Sequence, residues 1–216
     1  QWFCAYPIFQ DNRAYRPYHL KHHRFTETDK DPDLALSAPF PITRKSFFRK
    51  VVRDLSGLTG YRRYSQALLS IFNTEGDNAL DKIKKIWLKI HGFLITNALI
   101  FGVVSIFLDW TLFFLLWWLP AFTYYSLIIR IRNIAEHCVT SGSTDFDNTR
   151  TTLTNPIVRF LMAPHRVNYH LEHHLFIMCP WYNLPKAHSM MIENGYKDKM
   201  CIAKSYRSVL MKAVSA

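Results

Sequence analysis

The sequence predicts an all-α integral membrane protein: a transmembrane helical hairpin attached to a cytoplasmic helical cap that holds a metal centre. Three observations predict it. Residues 86–108 and 110–129 are consecutive apolar stretches, the first with a single lysine (Lys89, near its end) and the second with no charge. Each is about 20 residues, enough at ~1.5 Å per residue to cross a hydrocarbon core of ~30 Å. Lys82, Lys84 and Lys85 precede the pair and Arg130 and Arg132 follow it, so the excess of basic residues puts both outer ends in the cytoplasm. Finally, two His-x-x-His-His clusters, at 19–23 and 170–174, flank the pair in sequence and therefore share that side.

Composition agrees with this class. Of 216 residues, 49% are apolar and 20% charged, with a mean hydropathy of −0.06, the mixture expected of a few embedded elements joined to a large polar portion. The chain is read as one domain, 1–216. It opens Gln1-Trp2-Phe3 without an initiator methionine or a signal pattern, so it is expected to be N-terminally truncated. The net charge of +11 suits a cytoplasmic membrane face, and the glycine-rich, basic-aromatic signatures of RNA-binding modules are missing, so no nucleic-acid partner is expected. Cys4, Cys138, Cys179 and Cys201 form no Cys-x-x-Cys pair and indicate neither a zinc knuckle nor a disulfide framework.

Along the chain, residues 1–15 are an aromatic lead-in with no assignable element. The first cluster, from about Arg16 to Arg24, sets His19, His22 and His23 on one helical arc, because residues three and four apart share a face. The loop Thr26-Glu27-Thr28-Asp29-Lys30-Asp31-Pro32-Asp33 follows, and its carboxylates are either solvated or accept hydrogen bonds from ligand imidazoles. Residues 45–55 divide into an apolar arc (Phe47, Phe48, Val51, Val52, Leu55) and a basic one (Lys45, Arg49, Lys50, Arg53). That division suits a helix in the headgroup region, and equally an amphipathic helix packed on a core. Gly57 and Gly60 are expected to break it.

In the first span His91 and Asn97 are lone polar residues, and His91 reads as interfacial or hydrogen-bonded rather than as a ligand. Asp109 makes the tight turn, and Pro120 is expected to kink the second span. That span continues beyond the bilayer, where Asn133 and His137 share a face, and Ser141-Gly142-Ser143 is expected to end it. The second cluster places His170, His173 and His174 together. His165 and His188 lack cluster spacing and read as structural or supporting groups. Pro180, Pro185 and Gly195 punctuate short helices expected to cap the site.

Two three-imidazole faces give six nitrogen ligands, too many for one tetrahedral zinc and suited to two metals. No thiolate or carboxylate lies in the clusters, which disfavours copper(I), magnesium and calcium. Glu172 is not in the His-Glu-x-x-His spacing of zinc hydrolases, although a membrane zinc hydrolase remains the rival of a different class. Iron with dioxygen fits best, acting on the hydrocarbon of the membrane.

These residues resemble the membrane fatty acid desaturases, histidine-box di-iron enzymes that include lipid hydroxylases and ketolases. The resemblance rests on Arg16 with His19-x-x-His22-His23 and Asp31-Pro32-Asp33, on Asn133-x-x-x-His137, on Asn168-Tyr169-His170-Leu171-Glu172-His173-His174-Leu175-Phe176, and on Leu184-Pro185 with His188. It implies that His19, His22, His23, His137, His170, His173 and His174 ligate two iron ions and that Asn133 reaches one through water. No catalytic residue is expected beyond the metal centre. It implies dioxygen as co-substrate, an external electron donor (cytochrome b5 or a ferredoxin), and a double bond introduced into a fatty acyl chain of a lipid or thioester. The same resemblance admits a lipid or carotenoid hydroxylase or ketolase. The family's first box, His-x-x-x-His or His-x-x-x-x-His, is not in this sequence, so this chain alone is expected to be inactive.

Overall fold

The computed structural model describes residues 1–140, 142 and 144–214. It is mostly helical, with elements α1 (Asn12–Phe25), α2 (Leu34–Ser37), α3 (Arg44–Leu55), α4 (Leu58–Phe72), α5 (Ala79–Phe107), α6 (Trp110–Phe113), α7 (Leu119–Phe122), α8 (Tyr124–His137), β1 (Thr151–Thr152), α9 (Pro156–Met162), α10 (His170–Leu175), α11 (Leu184–Glu193), β2 (Ile202–Ala203) and α12 (Tyr206–Ala213). Among the described residues the departure from all-α is one parallel pair of two-residue strands, with Thr151 opposite Ile202 and Thr152 opposite Ala203. The chain forms two compact units, residues 1–17 with 50–127 and residues 18–49 with 128–216.

The first unit is built on the apolar stretches. α5 begins earlier than hydropathy alone indicates, because Asn78 caps it by accepting the Asp81 backbone N–H at 2.9 Å. Asp109 likewise accepts the Thr111 N–H at 2.8 Å and starts α6. Pro120 has no N–H to continue the helical ladder. A π-helical turn at Phe114–Trp118 precedes it and a break follows at Thr123, so the expected kink is spread over two turns. Two helical stretches, Ala79–Phe107 and Trp110–His137, are long and apolar enough to cross a membrane. Their most apolar windows are only 17% and 11% buried, whereas a helix at the core of a soluble protein would be mostly covered.

Two expectations about this unit change. The aromatic lead-in has a place: a turn of 3₁₀ helix at Tyr6–Ile8 offers the Pro7 carbonyl to the Asn97 amide and the Trp117 indole, both at 3.2 Å. Gly92 permits this approach, since a Cβ there would lie 2.2 Å from the Tyr6 ring. The second correction concerns Gly60. Gly57 (φ 82°) does separate α3 from α4, but Gly60 lies inside α4, where a Cβ would meet the Phe122 carbonyl oxygen at 2.3 Å. It is the contact point of two helices and breaks neither.

The second unit has three small apolar centres. Ile134, Cys138, Val209 and Ala213 pack with Phe40 and Phe47; Ala135 packs with Ala163 and Tyr206; Leu171 packs with Met191 and Met200. α8 ends at His137 and Val139 takes a left-handed φ of 55°, so the helix stops before the expected terminator, of which Ser141 and Ser143 lie outside the described residues. Gly195 (φ 81°) ends α11 as the sequence indicates.

Candidate metal centre

Within the second unit α1 presents three imidazoles, the last turn of α8 presents one, and α10 presents three. α10 is six residues long and divides them between two faces: His170, His173 and His174 on one, buried Leu171 and Glu172 on the other. The structure sorts the seven histidines into two groups able to hold a metal ion, His22 with His137, His170 and His174, and His19 with His23 and His173. Each cluster contributes to both groups, so the groups are neighbours.

The geometry within each group suits a cation. The Nε2 atoms of His19, His23 and His173 stand 3.0, 3.1 and 3.3 Å apart. In the other group Nε2 of His170 is 2.9 Å from that of His137 and 3.1 Å from that of His174. Nitrogens ~2.1 Å from a common metal are separated by about 3.0 Å at right angles and about 3.4 Å at the tetrahedral angle. An imidazole nitrogen has one in-plane lobe, either a proton or a lone pair. Three lobes meeting at one point cannot all pair with one another, whereas three lone pairs can share one cation. The donor set and spacing therefore fit bound metal.

The far nitrogens decide which atom is left for that role. His22 donates from Nδ1 to Asp31 at 2.8 Å, and His174 donates from Nδ1 to the Thr26 hydroxyl at 3.2 Å. Each bond fixes a tautomer that leaves Nε2 as a lone pair. Asp31 also accepts the backbone N–H groups of Glu27 and Asp33 at 2.8 Å. Burial raises its pKa, but the His22 bond and the two backbone amides outweigh burial and hold the carboxyl below its usual range. Of the two readings of the acidic loop, the structure supports the one in which a carboxylate, that of Asp31, accepts a hydrogen bond from a cluster imidazole.

Burial, reinforced by the neighbouring imidazoles, also favours the neutral form of His23, His170, His173 and His174. It pulls His23 down to about 3 and His173 to about 4, and His170 and His174 fall well below the usual 6.5. Neutral imidazole is the form that binds metal.

The remaining residues separate as follows. Asn133 lies half-buried one turn before His137 on α8. His165 is exposed beside Trp181, and His91 bonds the Trp87 carbonyl at 3.0 Å, so neither joins a metal group. His188 donates from Nδ1 to Glu172 at 2.5 Å, behind the ligand face of α10. Sequence reasoning missed Thr26, Arg150 and Thr151. Thr151 donates its hydroxyl to Glu172, and Arg150 donates to the carbonyls of Ala135, Cys138 and Val139 at 3.2, 2.9 and 2.8 Å. No spacing signal points to these residues, since the contacts that tie them to the site, Thr26 to His174, Arg150 to the end of α8 and Thr151 to Glu172, span 11 or more positions in sequence.

The family model "Fatty acid desaturase" matches residues 1–203, which contain both clusters and His137. The chain belongs to the fatty acid desaturase family. A relative of the chain is the dihydrorhizobitoxine desaturase of Bradyrhizobium elkanii, 27% identical over 237 aligned positions. The alignment covers 97% of this chain and 61% of the relative, so the chain spans less than two thirds of the length of that desaturase. No solved structure matches. Family membership and the relative's name support a desaturase-like oxidoreductase, and this family is membrane-bound and generally di-iron, in keeping with the two apolar helices and the histidine groups.

Proposed function

We propose that this chain holds two iron ions and belongs to an oxygen-dependent membrane oxidoreductase that introduces a double bond into a fatty acyl chain of a lipid or thioester. One observation carries the reading: seven imidazoles, drawn from three helices, converge as two adjacent nitrogen-only groups. Cys138 offers no competing soft ligand, because burial pushes its thiol up to about 12. Bound iron would supply the oxygen-activating power needed to remove hydrogen from an unactivated methylene.

The protein's own part is to bind and orient. His22, His137, His170 and His174 would hold one ion, and His19, His23 and His173 would contribute to holding the other. Asp31 and Thr26 keep the Nε2 lone pairs of His22 and His174 aimed inward. Asn133, an amide on the face of His137, is assigned a bound water rather than a bond to metal. In this reading the protein is integral to the membrane with its metal site on the cytoplasmic face, takes its acyl substrate from the bilayer, and receives electrons from cytochrome b5 or a ferredoxin.

The test is metal analysis combined with product analysis. The complete protein purified from membranes is expected to carry two irons per chain, and His22→Ala or His170→Ala to lose iron and turnover together. Membranes containing the complete protein should accumulate unsaturated acyl chains only with oxygen and reductant. Full activity with zinc alone refutes the proposal.

A further inference from the structure

α10 is the shortest element that carries ligands, and a six-residue helix does not hold its own conformation in water. Its direction must come from what it is fastened to. Leu171 is fully buried against Met191 and Met200, which fixes its depth but leaves it free to rotate about an apolar contact. Glu172 supplies what Leu171 lacks. Its side chain is fully buried, and its two oxygens accept from two different directions: Oε1 from Nδ1 of His188 on α11 at 2.5 Å, and Oε2 from the hydroxyl of Thr151 on β1.

Burying a carboxylate costs several kcal/mol unless its acceptor sites are filled. An anion at this position is expensive for a merely structural purpose, since apolar packing on the same face would stabilise more cheaply. What two directed bonds add over packing is orientation. Glu172 lies between His170 and His173 in sequence, so a rotation of α10 that broke either bond would swing all three imidazoles. β1 connects this anchor to the other imidazole-bearing helix: the Arg150 guanidinium binds the Ala135 carbonyl of α8 and those of Cys138 and Val139 just past its end, on either side of His137, and the next residue is Thr151.

We infer that Glu172, held between His188 and Thr151, is a positioning residue that sets the direction of the His170, His173 and His174 imidazoles toward their metals. This rests on the metal-binding reading above. His188 is then a working part of the centre although it ligates nothing: its imidazole serves as a fixed N–H donor. The anchor is built so that one carboxylate serves both metal groups, because His170 and His174 belong to one and His173 to the other.

The experiment uses Co(II), whose visible d–d bands report ligand geometry, in the purified protein with Glu172→Gln, His188→Ala and His188→Asn. Asparagine places an amide N–H near the position of Nδ1 and can restore the donor. Glu172→Gln and His188→Ala are expected to weaken Co(II) binding about 10–100-fold, the usual cost of losing a partner behind a ligand, and to change the d–d spectrum of the loaded protein. His188→Asn should recover affinity and spectrum. The double variant Glu172→Gln/His188→Ala should lose little more than either single one, because both remove the same bond. Wild-type protein that takes up no Co(II) overturns the metal reading itself. Wild-type uptake with unchanged affinity and spectrum in His188→Ala overturns the positioning role alone, as does a His188→Asn no better than His188→Ala. If Glu172→Gln fails to fold, the His188 pair still decides.

Discussion

Replacing Asp31 by asparagine tests whether a buried carboxylate tunes the four-imidazole group. The substitution keeps size and shape but turns one oxygen into an NH₂. Oδ1 now serves His22 and the Asp33 amide, and Oδ2 serves the Glu27 amide, all at 2.8 Å. The better asparagine orientation keeps the first two bonds and sets its NH₂ against the Glu27 N–H, leaving a buried donor unpaired at about 1–3 kcal/mol of stability. The negative charge behind His22 is lost in either orientation. Loss of such a partner lowers metal affinity about 10–100-fold, equivalent to about 1.4–2.7 kcal/mol. Asp31 bonds to His22, a member of one group, so the loss should fall on one of the two irons. The assay is a chelator titration followed by iron analysis, with the melting of the metal-free protein measured separately to remove the stability cost. Asp31→Asn is expected to release about half of the iron at a lower chelator concentration than wild type. An unchanged titration beside a lowered apoprotein melt would make Asp31 a loop-fastening residue and refute the argument.

The depressed imidazole pKa values predict a pH dependence. The unfolded chain takes up protons first as pH falls through about 6.5, so metal-free stability is full above that point and declines toward the folded values of about 4 and 3 for His173 and His23. Melts of the apoprotein at successively lower pH check this, and a flat profile through the window contradicts it. Gly60→Ala should destabilise by about 1–3 kcal/mol, because the added Cβ meets backbone that cannot move aside as a side chain can. Gly102→Ala, with nothing within 4 Å, should be neutral or gain up to about 1 kcal/mol of helix propensity; equal melts for the two variants would remove the close-approach reading. His137→Ala should lose iron, whereas Asn133→Ala should retain most of it and form less product per reductant consumed; equal iron loss would make Asn133 a ligand.

What could be read from the sequence follows from the range of each signal. Cluster spacing is a local property: His19, His22 and His23 must share a face if the segment is helical, and they do. The apolar stretches are equally local, and their helices run through the expected ranges. Failures came where the deciding partner is distant. Gly60 reads locally as a helix breaker, whereas the reason for glycine inside α4 is the Phe122 carbonyl, 62 positions later in the chain. Tyr6 could not be placed because its site is the gap left by Gly92. Thr151 carries no mark of its role at all: a threonine before another threonine reads as a strand fragment, and only the fold brings it to Glu172.

The same contrast explains why the two histidine clusters are held differently. α1 is a 14-residue helix, and the carboxylates that hold it lie just after it in sequence: Asp31, bonded to His22, is nine residues from it, and Asp33 accepts from the Tyr18 hydroxyl. Folding of the segment 12–33 therefore brings the imidazoles and their support together. α10 has six residues, and its anchors lie 21 positions before and 16 after Glu172. Its imidazoles can be aimed only once β1 and α11 are in place. A substitution at Thr151 or Arg150 should therefore behave as a ligand-shell change although neither residue is near a histidine cluster in sequence, whereas a comparable change close after α1 has to touch Asp31 or Thr26 to do the same. Iron content of Thr151→Val, which keeps the shape of the side chain and removes its hydroxyl, separates these cases: loss of iron without loss of fold is expected, and full iron retention would mean that Leu171 packing alone sets the helix.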